Sequence, residues 1–148
     1  MKRQIGNIFF VHINQNEKIV ENAEMLIKAV AKNCPRIKYL TTYLESEYFI
    51  HVKSLLLNCK ELGYMRLKRS DLSGNEENGD ELLKILSECS PNSLTTMGLS
   101  SGWQYSMDVL EQFLESCRGR TLKWFELIYH NQITETIKQL SENTLMKV

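Results

Sequence analysis

The chain has 148 residues, 18 basic and 18 acidic side chains, 43% apolar residues, two prolines and seven glycines. That suits one domain with a continuous core and excludes a disordered or fibrous chain. A net charge of zero gives no global field for nucleic acid or an anionic membrane, and no apolar run reaches the roughly 20 residues of a spanning helix. The apolar stretch from Ile8 to Ile13 is short and lacks a small-residue cleavage site, so secretion is not expected.

The first apolar group, Ile5, Ile8 and Phe10, has spacings of three and then two, which predict a short strand entered by a turn. Ile27, Val30 and Ala31 then stand seven, four and three residues before Cys34, and form one face of a helix. After Cys34 come Ile37 and Leu40, with Thr42 in the third strand place. The same order recurs three times. Val52, Leu55 and Leu56 lead to Cys59, followed by Leu62, Met65 and Leu67. Leu82, Ile85 and Leu86 lead to Cys89, followed after two inserted residues by Leu94, Met97 and Leu99. Leu110, Phe113 and Leu114 lead to Cys117, then Leu122, Phe125 and Leu127. Asn78 and Ser106 are suitable starts for the last two of these helices. Ile133, Ile137 and Leu140 mark a weaker final helix, with residues 145–148 as a candidate last strand.

The unit is therefore a helix, a Cys turn and a strand, and the cysteines recur at intervals of 25, 30 and 28 residues. One such unit cannot bury both its helix and its strand alone. Stacked units give an α/β leucine-rich-repeat solenoid, with parallel strands on the concave side and helices on the convex side. Residues 1–148 are expected to form one such domain of four to five units. No Cys-x-x-Cys pair occurs, and ligands a full repeat apart would sit on successive layers, so the cysteines are expected to be free, shielded packing residues.

The segments Asn33–Leu40 and Asn58–Leu62 resemble the cysteine-containing leucine-rich repeats of F-box proteins. Asn78–Leu86 with Ser90–Leu94, and Leu110–Glu115 with Cys117–Leu122, are similar to the C-terminal part of an expanded fungal F-box/leucine-rich-repeat family. The resemblance runs from about residue 30 to 140. It implies an intracellular substrate receptor of a cullin–RING ubiquitin ligase, in which an F-box holds the adaptor and the repeats bind a protein target. No F-box precedes Cys34: the segment has no proline and already reads as a repeat strand and helix. The chain is expected to be the repeat end of a longer receptor or a diverged copy, joining the adaptor–cullin complex only if a longer form supplies the F-box. A free scaffold with no role in ubiquitination is the alternative. The expected location is cytoplasmic or nuclear.

No cofactor, metal or catalytic site is expected. His12, His51 and His130 fall in different units, beside no nucleophile pattern. Residues 71–79 superficially match a calcium loop, but Glu76 holds the place of the turn glycine and Leu82 that of the bidentate Glu. The run is read as a flexible acidic loop, and Arg66, Lys68 and Arg69 beside it as a solvated face. Arg118 and Arg120 are placed to meet helix C-terminal carbonyls.

The strand places between the apolar ones point to the concave face. They read Tyr39, Thr41 and Tyr43; Tyr64, Arg66 and Lys68; Thr96, Gly98 and Ser100; Trp124, Glu126 and Ile128, with Asn7, Phe9 and Val11 in the N-terminal copy. Tyr39, Tyr43, Tyr64, Arg66, Trp124 and Glu126 are the candidate protein-binding residues, since Tyr, Trp and Arg dominate interface hot spots.

Overall fold

The four stretches with apolar residues three and four apart form helices: α1 (Ala23–Asn33), α2 (Phe49–Asn58), α3 (Asp80–Cys89) and α4 (Met107–Ser116). The computed structural model describes residues 23–69, 75–100, 102–120 and 122–127. The N-terminal strand copy, the final helix and the candidate last strand lie outside these residues. Each described helix buries the stripe expected of it, for example Ile27, Val30 and Ala31 of α1 and Leu110, Phe113 and Leu114 of α4.

Among the described residues six strands accompany them: β1 (Tyr39–Tyr43), β2 (Tyr64–Lys68), β3 (Glu77–Asn78), β4 (Thr96–Leu99), β5 (Trp103–Gln104) and β6 (Trp124–Leu127). The main sheet has the order β1-β2-β4-β6, and every pairing is parallel. Parallel neighbours need a crossover, which α2, α3 and α4 supply in turn. Successive helices pack on one another in chain order. The result is a mixed α/β arrangement with the core between one helix layer and one sheet face.

The turn into each strand repeats its hydrogen bonding. Lys38 O accepts from the N–H groups of Gly63 and Tyr64 at 2.9 and 3.0 Å. Gly63 O accepts from Thr95 and Thr96 at 2.9 and 3.1 Å, and Thr95 O from Lys123 and Trp124 at 2.8 and 3.1 Å. Every unit thus satisfies the turn carbonyl of the one before it, which locks the register.

The helix starts differ in detail from expectation. Ser106 is the N-cap of α4, yet its hydroxyl makes no capping bond; its backbone N–H donates to Asp80 Oδ1 at 2.8 Å instead. Gly79 is the N-cap of α3, and Asn78 Oδ1 accepts from the Asp80 N–H at 2.8 Å. Arg120 meets helix carbonyls as expected, but those of the neighbouring helix: Ser87 O and, at 3.4 Å, Ser90 O.

Part of the acidic run is not a loop. Glu77–Asn78 pair in parallel with Trp103–Gln104 as a separate two-stranded sheet. The reason is Trp103, which is 2% exposed and meets Phe49 edge-on at a ring separation of 6.2 Å. Burying so large a ring fixes the backbone that carries it, and β3 is held with it.

Candidate functional site

The pairings place the expected columns side by side. Tyr39, Tyr64, Thr96 and Trp124 form one row across the main sheet; Leu40, Met65, Met97 and Phe125 form the next. Thr41, Arg66, Gly98 and Glu126 come third, and Thr42, Leu67, Leu99 and Leu127 fourth. The second and fourth rows face the core. They are buried in β1, β2 and β4 and half-buried in β6, where Phe125 packs on Phe113 at 4.8 Å. The first and third rows belong to the face that carries none of the described helices, and this open face is the candidate site.

Its first row is aromatic and solvated. Tyr39 is 42% exposed and Trp124 62% exposed, while Tyr64 is half-buried because the Tyr39 ring lies 6.2 Å from it. Thr96 between Tyr64 and Trp124 leaves a notch one strand wide. In the third row Arg66 reaches past Gly98 to Glu126, with Nη2 and Oε2 3.2 Å apart. Gly98 makes this crossing feasible, since a Cβ there would stand 3.3 Å from Arg66 Cγ. Both residues were expected to offer their charges outward, but they hold each other, leaving the pair as one half-exposed dipolar group.

Two further expectations need correction. Tyr43 is only 6% exposed, and its neighbours Thr41 and Thr42 are also buried. Both faces of β1 are covered at that end, so Tyr43 belongs with the packing residues rather than the open surface. Arg69 is not on a solvated face either. Its side chain is 2% exposed, pairs with Glu77 Oε1 at 3.3 Å, and donates to Gly102 O at 2.6 Å and to Asn75 O. A buried guanidinium needs such partners to offset its lost hydration. Gly102, at φ +108°, supplies a backbone no other residue adopts without strain, and a Cβ there would strike Arg69 Cδ at 2.8 Å. Lys68 does lie on the open face, half-buried.

Three of the four cysteines are shielded from solvent. Cys59, Cys89 and Cys117 are buried and Cys34 is half-buried, so the expected shielding is incomplete at Cys34; all four are free thiols. Cys59 Sγ donates to Cys34 O at 3.4 Å, stitching consecutive units. Burial, and secondarily the nearby Cys34, pushes the Cys59 thiol up to about 11. Burial also raises Cys117, opposed by a hydrogen bond with Ser116 and by the Arg120 charge. His51 sits on α2, with Nε2 3.4 Å from Glu24 Oε1 and its ring stacked on Tyr48. Glu24 is held below the usual carboxylate range, chiefly by its hydrogen bond with Lys28. Among the described residues no three His, Cys, Asp or Glu converge as metal ligands, and no helix is long and apolar enough to cross a membrane.

No family model matches the chain, and no curated protein does. Among solved structures, a chain of the Rad7–Elc1 complex of yeast is similar, with a TM-score of 0.56 at 22% identity. It shares the fold. The likeness covers 84% of this chain and 33% of that one, so the chain spans about a third of the length of this structural neighbour. The likeness is one of fold and fixes no residue of the site.

Sequence reasoning identified Tyr39, Tyr64 and Trp124 as one exposed row, and the structure brings them together. It missed Gly98 and Trp103. The only signal for Gly98 was a side chain missing from one otherwise filled column. For Trp103 it was the alternation Trp103-Gln104-Tyr105, which places two aromatics on one side of a short strand.

Proposed function

We propose that the chain is a non-enzymatic protein-interaction module, a leucine-rich-repeat solenoid across residues 1–148 whose open sheet face binds its partner. The observation that carries this reading is the row of Tyr39, Tyr64 and Trp124, aligned by strand pairing on the face away from the described helices, with Tyr39 and Trp124 exposed. Large rings at fixed positions bury area at small entropic cost, which suits them as anchors. The finer reading is the target-binding part of an F-box receptor, intracellular and fungal, with the F-box and its adaptor–cullin contact lying outside this chain. Two things support it: the resemblance of the Cys-containing turns, and the likeness to a chain in a two-protein complex. A free scaffold with no role in ubiquitination is the second reading, since the exposed row by itself carries no tie to a ligase.

The test is capture of protein partners by the purified chain. Replacing Tyr64 and Trp124 together by alanine should abolish most capture while circular dichroism and melting stay near wild type. Unchanged capture by the double variant would move the site to the helices or turns. Co-purification of the adaptor with the chain alone would contradict the assignment of adaptor binding to a separate F-box.

A further inference from the structure

We infer that the open face takes an extended acidic peptide bearing one aromatic or large aliphatic side chain. The inference rests on reading that face as the binding surface and adds the chemistry of its occupant. The apolar part follows from the first row. Tyr64 and Trp124 flank the smaller Thr96, and their strands stand two spacings apart, about 10 Å, which admits one side chain between them. Beyond Thr96 the Arg66 side chain lies over Gly98 on its way to Glu126, so the apolar notch ends at the third row.

The charge part follows from an imbalance. The chain as a whole is neutral, with 18 charges of each sign. The main-sheet strands β1, β2, β4 and β6 and the residues just before them nevertheless carry Lys38, Arg66, Lys68 and Lys123 against Glu126, which Arg66 already occupies. Among the described residues Lys38, Lys68 and Lys123 have no carboxylate within ion-pair distance. The helix layer is the reverse at α4, which has Asp108, Glu111 and Glu115 and no cation. Lys68 lies four residues along β2 from Tyr64, about 13 Å, so an extended segment anchored in the notch can bring a carboxylate to it. Single-stranded nucleic acid also seeks cations beside aromatics. Here the cations are separate points rather than a continuous track, and the Tyr39 and Tyr64 rings already pack on each other.

Fluorescence anisotropy tests this with three labelled probes: a short peptide with a central Phe among Glu residues, its Lys-for-Glu counterpart, and oligothymidine. The Glu peptide should bind saturably and weaken as salt rises. Lys68→Glu should weaken it by about tenfold or more and improve the Lys peptide, while Tyr64→Ala with Trp124→Ala should weaken it comparably. Preference for the Lys peptide or oligothymidine overturns the acidic class. If that binding still falls in the double variant, the open face stands as the surface. Glu-peptide binding indifferent to all three substitutions overturns both the class and the surface. Failure of every probe to bind overturns the inference, and the capture experiment then judges the surface on its own.

Discussion

Arg66 and Arg69 are three residues apart, and each belongs to a region with its own tryptophan. Arg66 lies on the open face near Trp124, half-exposed, paired with a carboxylate 60 residues away. Arg69 is sealed under Gly102 beside Trp103, bonded to two carbonyls and Glu77. The same side chain is a surface group in one place and a structural strut in the other. What differs is the backbone around it. At Arg66 the neighbouring strand leaves a gap at Gly98, and at Arg69 the chain folds back over the guanidinium through the glycine at 102. The first region lies at the surface, and the second fixes the small sheet.

The largest effect should come from the sealed region. Arg69→Ala leaves Glu77 short of its partner and two carbonyls unmet, and should destabilise by about 3–5 kcal/mol in chemical denaturation. A loss below 1 kcal/mol would place Arg69 in solvent. Leu99→Ala removes a side chain that is 1% exposed and should cost about 2–4 kcal/mol through the cavity left behind. Its companion Thr96→Ala, on the other face of the same strand, should stay within about 0.5 kcal/mol. Equal losses would mean that the two faces are exchanged. Arg66→Ala should likewise cost little, since its half-exposed pair contributes about 1 kcal/mol or less, diminishing with salt.

The core cysteine adds a pH dependence. The Cys59 pKa rises on folding from an ordinary thiol's 9.0 to about 11. The folded state therefore holds the proton more tightly. Its contribution is whole below about 9 and is lost as pH rises toward about 11. Cys59→Ala should flatten the fall in stability over that window, measured against the wild-type melting curve. An unchanged alkaline slope would show that the thiol is not buried in the folded state.

Much of the main sheet was legible because strand alternation and the Cys-anchored spacing are local. Ile37, Leu62, Leu94 and Leu122 each open a strand at a fixed distance from Leu40, Met65, Met97 and Phe125, and one register serves them all. Tyr43 and Arg69 were misplaced because their burial is decided by distant segments that local period does not encode. The Arg66–Glu126 pair was hidden for the same reason, joining two expected contact residues across a glycine that has no side chain to advertise its role. The small sheet rests on two-residue strands, which leave no more than the Trp103–Tyr105 alternation to mark them.

The central claim is that a single register sorts the sheet into a core face and an open face, with Trp124 on the open side. Acrylamide quenching of tryptophan fluorescence tests it directly, because the chain has only two tryptophans, one 62% exposed and the other 2%. Wild-type protein should show a strongly quenched component and a resistant one, and Trp124→Phe should remove the quenched component alone. If Trp124→Phe instead left a readily quenched signal, the assignment of the two faces would be contradicted.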